Sequence, residues 1–363
     1  MSRQLRNLSR LGCAGLKILG LRLLLRPLAR WRPLPDPVQG YSLVLACPAG
    51  MVDLLGANLL ALDRQDRTHL DRIWIVFDQP LNPELALAQQ RLRSQYPDLP
   101  LEFLHFGPWQ ARVLDGIRWG WAYAWLSWCL GLAACRTRYL VIHDLDLLTL
   151  APDFLEKRYQ AIRERGVPWL GMDRFTFNGF TPEDGLVPSN EMILDAALVR
   201  RRFAPIDLFN KVTWWHGRFV HFDLTLYAQS RAGPSAHLGY RVMEMVHPNQ
   251  MICQFTALLH RPNYRPQPRT SLLLLPYYYL LAGNPAPLRE VQQSLGAALS
   301  SRRAGLLGHE LDLTGLTAPH VRTLAEMAGQ VEMAFYGGVR PEVSAYFRAL
   351  EDFAGPARMR LAA

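Results

Sequence analysis

Residues 138–150, RYLVIHDLDLLTL, constrain the fold more than any other stretch of this chain. Tyr139, Leu140, Val141 and Ile142 form an unbroken apolar run bounded by charge, the pattern of a strand buried on both faces of a parallel sheet. The run then delivers two carboxylates, Asp144 and Asp146, with one residue between them. Open α/β sheets bind their ligands beyond the carboxyl ends of their strands. A carboxylate pair there can hold a divalent cation, and the cation a diphosphate.

The chain before this stretch alternates. Residues 41–50 read as a strand and turn, 51–65 as an amphipathic helix, and 72–80 as a second strand ending at Asp78. Residues 82–95 read as a helix with Pro83 in its first turn. Residues 101–107 read as a third strand and about 109–134 as one long helix. This βαβαβαβ order predicts an α/β fold, a mostly parallel sheet flanked by helices. Trp121, Trp125 and Trp128, at i, i+4 and i+7, predict a core-facing stripe. Arg112 and Arg118 are candidates for phosphate contact, with solvated arginines as the alternative. There is no G-x-G-x-x-G after the first strand, no G-x-x-x-x-G-K-[ST] and no G-x-S-x-G. A dinucleotide cradle, a P-loop and a hydrolase elbow are therefore unsupported.

The 363 residues carry a net charge of +9, almost all of the cations being Arg, with Lys only at Lys17, Lys157 and Lys211. GC-rich codon usage accounts for such a bias; phosphate-bearing substrates or an acidic membrane surface would also use it. The five cysteines, Cys13, Cys47, Cys129, Cys135 and Cys253, are odd in number and lack a C-x-x-C pair. That points to a reducing compartment and away from disulfide or zinc frameworks. No basic stripe with interleaved aromatics or recognised module suggests nucleic-acid binding.

Residues 1–35 read as a basic amphipathic arm. Leu5, Leu8, Leu11, Gly12 and Gly15 recur at helical spacing, and Arg3, Arg6, Arg10 and Lys17 supply a basic face. Lys17, Arg22 and Arg26 break every apolar run well short of a membrane span. The helix either lies in the headgroups of an anionic membrane or packs on the body of the protein. Pro27, Pro33, Pro35 and Pro37 end it.

A turn at Cys47-Pro48-Ala49, an acid ending the second strand and Asp144-Leu145-Asp146 closing the fourth resemble glycosyltransferases of the GT-A fold, of D-x-D type. The resemblance implies that Asp78 binds the base or ribose of a nucleotide. It implies that Asp144 contacts ribose or metal and that Asp146 ligates Mn²⁺ or Mg²⁺. It continues through a strand ending at Asp173, a turn-rich loop at 176–190 and the segment EMILDAALVRRR. In residues 214–233 it implies that Asp223 deprotonates the acceptor hydroxyl, although the family's Glu-Asp doublet is Phe222-Asp223 here. Asp223 as the N-cap of the following helix is the alternative. Trp214 and Trp215 would stack on a sugar or fill a core. His247, in EMVHPNQM, matches a third metal ligand in several such families, with a structural histidine as the alternative.

These readings predict an arm at 1–35, a nucleotide-sugar transferase domain at 36–262, and a Pro-rich linker with a helical extension at 263–363. SLLLLPYYYLLAG is too short to span a bilayer and reads as buried; the last two helices each open with Pro. Contact of that apolar stretch with a membrane surface is the alternative; the extension shows no chemistry in its sequence, and packing, acceptor binding and partner contact are all open to it. The expected function is metal-dependent transfer of a sugar from a nucleotide-diphosphate donor to a glycan or glycolipid. The alternatives are a sugar-nucleotidyltransferase, a metal-dependent phosphohydrolase, and a non-catalytic membrane-surface scaffold. A bacterial cytoplasmic enzyme at the inner face of the plasma membrane, acting on an envelope polysaccharide or glycolipid, fits the whole.

Overall fold

The computed structural model describes residues 3–172, 180–248, 250–260, 271–297 and 302–355. Asp173, residues 176–179 of the turn-rich loop and the linker stretch 261–270 lie outside them. The chain divides into two compact units. The first comprises Met1–Val52, Asp66–Asp144 and Asp153–Tyr240; the second comprises Asp53–Gln65, Leu145–Pro152 and Arg241–Ala363.

The first unit is built on a seven-stranded sheet. Four strands follow the expected alternation: β1 (Val38–Cys47), β2 (Leu70–Phe77), β3 (Leu101–His105) and β4 (Thr137–His143). They pair in parallel, in the order β4-β1-β2-β3. Met192–Asp195 adds to β4 antiparallel, Trp169–Gly171 pairs antiparallel with it, and Ala236–His237 closes that edge. The predicted α/β class with a mostly parallel sheet is therefore observed. The apolar run of β4 is buried throughout, as a strand covered on both faces requires. At its start the hydroxyls of Ser42 and Thr137 meet at 2.9 Å, so neither buried polar group is left unpaired.

The helices differ from expectation in two places. The amphipathic helix expected over 51–65 is a 3-10 segment, Ala49–Leu54, and a helix, Leu55–Asp63, that is buried nearly all round rather than on one face. The single helix expected over 109–134 is two, Pro108–Ile117 and Gly120–Ala134. Arg118 caps the first in the left-handed conformation (φ 49°), which ends a helix however apolar the sequence beyond it. The second helix buries Trp125 and Trp128, but Trp121, in its first turn, is exposed, so the tryptophan stripe is shorter than its spacing implied. The helix Pro83–Gln95 opens as read, with Asn82 accepting from the Leu85 amide at 2.8 Å. At the other end, α1 (Arg3–Leu25) packs against this unit: Ile18 and Leu25 are buried, and the Arg22 guanidinium donates to the Phe209 carbonyl at 3.0 Å.

The second unit is mainly helical. It holds Leu55–Asp63, Met251–His260, Leu275–Leu281, Ala286–Ala297, Ala318–Tyr336 and Pro341–Ala354, with a hairpin at Arg303–Leu306 and His309–Asp312. SLLLLPYYYLLAG is buried here as expected, becoming a 3-10 turn and the helix Leu275–Leu281. Its tyrosines end in polar anchors: the Tyr277 hydroxyl meets Glu332 at 2.9 Å, and Arg340 clamps that buried carboxylate through several nitrogens. Leu148–Thr149 pairs antiparallel with Met245–Val246. Among the described residues, no helix is long and apolar enough to cross a membrane.

Candidate metal and nucleotide site

β4 ends in a fully buried pair, His143 Nδ1 lying 2.5 Å from Glu191 Oε2. The next residues turn out of the sheet, and each peptide of the turn is held. In the second unit the Asn58 side-chain amide donates to the carbonyls of Leu147, at 2.9 Å, and Leu145, at 3.4 Å. The hydroxyl of Tyr278 donates to the carbonyl of Asp146 at 2.7 Å. Three consecutive carbonyls thus accept from two buried side chains, so the backbone around Asp146 is fixed before any ligand arrives. Burial pushes the Tyr278 phenol far above its ordinary pKa, so it remains a donor at any working pH.

The Asp146 side chain is pinned as well. The Ile252 amide donates to its Oδ2 at 3.3 Å. The short ladder Leu148↔Val246 carries the chain straight into His247, whose Nε2 lies 3.4 Å from Asp146 Oδ1. Asp144 is two residues away along the chain. One ligand atom from each of Asp144, Asp146 and His247 lies within 4.8 Å of the others, a spread that one ion could span. Two carboxylates and an imidazole are a donor set suited to Mn²⁺, and less to Mg²⁺, which prefers oxygen alone. The residues fit the group.

Asp78 follows β2 at the same edge of the sheet, since Phe77 pairs with Cys47 and Leu45 with His143. Its Oδ1 accepts from the Ala49 amide at 2.8 Å, bracing the turn after β1. Arg112 is exposed on the helix Pro108–Ile117.

Asp223 follows a hairpin formed by Lys211–Trp215 and Arg218–Phe222. Its Oδ1 accepts from Asn210 Nδ2 and from the Leu224 amide, both at 2.8 Å. Burial raises its pKa above the usual carboxylate range, and those two bonds only partly offset it. The N-cap alternative is not what forms: the N-cap position of the helix Leu226–Ala232 falls on Thr225, whose side chain makes no capping bond, and Asp223 accepts from the Leu226 amide through its backbone carbonyl. Trp215 is half-buried against Phe180 and Phe222, whereas Trp214 is exposed.

No protein-family model matches the chain, and no curated protein matches it. Solved structures do. A mannosyltransferase, PcManGT from Pyrobaculum calidifontis in complex with GDP-Man and Mn²⁺, aligns over 94% of this chain and 95% of its own, at 15% identity and a TM-score of 0.40. TarS residues 1–349 from S. aureus aligns over 87% and 91%, at 12% identity and 0.37. The glycosyltransferase GlyE from Streptococcus pneumoniae aligns over 62% and 50%, at 10% identity and 0.36.

The residues that sequence reasoning missed are those that hold the site. Asn58 is a lone amide in the apolar helix Leu55–Asp63, a signal that its buried amide has a polar task. Tyr278 stands in a run of three tyrosines and carries no such mark. Through its 2.7 Å bond to the Asp146 carbonyl it ties the extension, whose role the sequence left open, to the turn that carries Asp146.

Proposed function

We propose that the chain is a metal-dependent glycosyltransferase of GT-A type, moving a sugar from a nucleotide-diphosphate donor to a glycan or glycolipid acceptor. The observation that carries this reading is Asp146 held against His247 beside Asp144, just beyond a buried central strand. Asp144, Asp146 and His247 would hold Mn²⁺ or Mg²⁺. A divalent ion bound there supplies positive charge to the diphosphate leaving group.

The chain's own residues divide the remaining work. Asp78, at the carboxyl edge of the sheet, would accept from the base or ribose of the donor, and Asp144 would share the ribose contact. Arg112 would meet phosphate. Asp223 would take the proton of the acceptor hydroxyl as its oxygen bonds to the anomeric carbon and the nucleotide diphosphate departs. Its raised pKa makes it a stronger base at neutral pH than an exposed aspartate. Asn210 and the Leu224 amide hold it in one orientation. The domain limits 36–262 and 263–363, and a location at the cytoplasmic face of a membrane, belong to the same proposal.

The test is incubation with Mn²⁺ and a panel of UDP-, GDP- and CMP-sugars, with nucleotide release measured by chromatography. One donor should be turned over only with metal, and Asp146→Ala should abolish turnover while the far-UV circular dichroism is unchanged. Pyrophosphate release from a nucleoside triphosphate and a sugar phosphate would favour a nucleotidyltransferase instead. Turnover that survives Asp146→Ala would remove the metal assignment.

A further inference from the structure

Among the described side chains of α1, residues 12–25, one face is used by the fold. Ile18 and Leu25 are buried, and Arg22 reaches the Phe209 and Asn210 carbonyls and Asp207. The opposite face carries Leu16, Leu19 and Leu23, which are 74%, 54% and 66% exposed. Their spacing, i, i+3 and i+7, makes one apolar stripe along the helix. Single exposed leucines are ordinary; an aligned row of them is an interaction surface.

Neighbouring parts of the same unit carry exposed aromatics. The Lys17 ammonium lies over the Trp119 ring, 5.5 Å from its centroid, and Trp119 meets the exposed Trp121 edge-on. A methyl placed at Gly15 would touch Val212 at 3.6 Å, so α1 runs against the hairpin that carries Trp214, itself 63% exposed. Gln110 donates to the Leu28 carbonyl at 2.6 Å, which sets the exposed Trp109 beside the end of the arm.

Charge identifies the occupant. Residues 1–35 contain eight cations (Arg3, Arg6, Arg10, Lys17, Arg22, Arg26, Arg30 and Arg32) and no acid. The whole chain has 40 cations and 31 acids, which leaves 32 against 31 outside the arm. Nearly all of the net charge therefore sits on one helix and its exit. Just beyond, Arg30 and Trp31 line a cleft of about 360 Å³ with Arg200, Arg201 and Arg202. A second copy of the chain would bring like charge against this face. A polyanion such as nucleic acid would leave the leucines wet. An anionic bilayer offers phosphates to the cations, acyl chains to the leucines and an interface that favours tryptophan.

We infer that the outer face of α1, together with Trp109, Trp121 and Trp214, docks in the plane of an anionic lipid surface. The proposal deepens the glycolipid-acceptor reading by placing the enzyme where such an acceptor lies, yet it stands on a different surface. Its readout is binding, so its failure and the failure of the transfer reading are separable.

The test is co-sedimentation of the full chain with vesicles of phosphatidylcholine alone and of phosphatidylcholine mixed with phosphatidylglycerol. Binding should require the anionic lipid and should fall with added salt. The triple variant Leu16→Gln, Leu19→Gln, Leu23→Gln changes only exposed side chains, so its circular dichroism should match the wild type. It should bind at least about tenfold more weakly. Arg26→Gln with Arg32→Gln should weaken binding by roughly fivefold per charge. Equal sedimentation of wild type and triple variant, or no preference for the anionic vesicles, would overturn the proposal. A lipid-free dimer in sedimentation velocity that the triple variant dissolves would overturn it in favour of a second copy.

Discussion

At the scale of single residues, Asp223 and Tyr278 show how burial is turned to use. A carboxylate whose pKa is raised on folding binds its proton more tightly in the folded state than in the unfolded. Asp223 therefore costs stability at pH values above its folded pKa, and the cost vanishes below the ordinary carboxylate range, about pH 4. Asp223→Asn keeps an oxygen for Asn210 and the Leu224 amide to donate to. It should leave the melting temperature at pH 7 unchanged or higher, with any gain disappearing as the pH falls through that range. Sugar transfer should drop by about 10²–10⁴-fold, as for loss of a general base. A variant that melts lower and keeps its activity would make Asp223 a structural residue. Tyr278→Phe strips the Asp146 carbonyl of its buried donor. It should cost about 1–3 kcal/mol in denaturant unfolding and weaken Mn²⁺ binding by about 10–100-fold in calorimetry. Asp144 and Asp146 were legible because a carboxylate pair after an apolar run is a local pattern. Tyr278 stands 132 residues from Asp146, and no local pattern marks a partner that far away.

Among the elements, the four parallel strands announced themselves through runs such as Tyr139–Ile142 and the helices between them, because burial on both faces leaves a mark on every residue. The break at Arg118 did not, since a left-handed cap by arginine has no strong sequence signature and apolar residues resume beyond it. The ladder of Leu148–Thr149 with Met245–Val246 is two residues long on each strand, too short to show a period, yet it delivers His247. Close packing behind the central strands gives a separate prediction. A Cβ at Gly131 would stand 2.4 Å from Val44 Cγ2 and 2.8 Å from its Cβ, so helix Gly120–Ala134 approaches β1 through that glycine. Gly131→Ala should destabilise the protein by about 1–3 kcal/mol, and Val44→Ala in the same chain should recover part of the loss. An alanine tolerated without cost at 131 would mean that the helix does not hold this approach in solution.

For the molecule as a whole, the central claim is that Asp146, His247 and Asp144 hold a divalent ion that in turn holds a nucleotide diphosphate. Binding linkage makes this measurable without knowing the acceptor, because a ligand at about 100 times its Kd stabilises the folded chain by about 2.7 kcal/mol. For a chain of 363 residues the melting temperature would then rise by roughly 3–4 °C. The decisive measurement is the thermal melting of wild type and Asp146→Ala with Mn²⁺, with each of the UDP-, GDP- and CMP-sugars, and with both together. The account predicts a shift with the UDP- or the GDP-sugars that is largest when Mn²⁺ is present, none that needs the metal with the CMP-sugars, which carry a single phosphate, and loss of the metal-dependent part in Asp146→Ala. A full metal-dependent shift retained by Asp146→Ala, or no shift of the wild type with any donor and Mn²⁺, would contradict it.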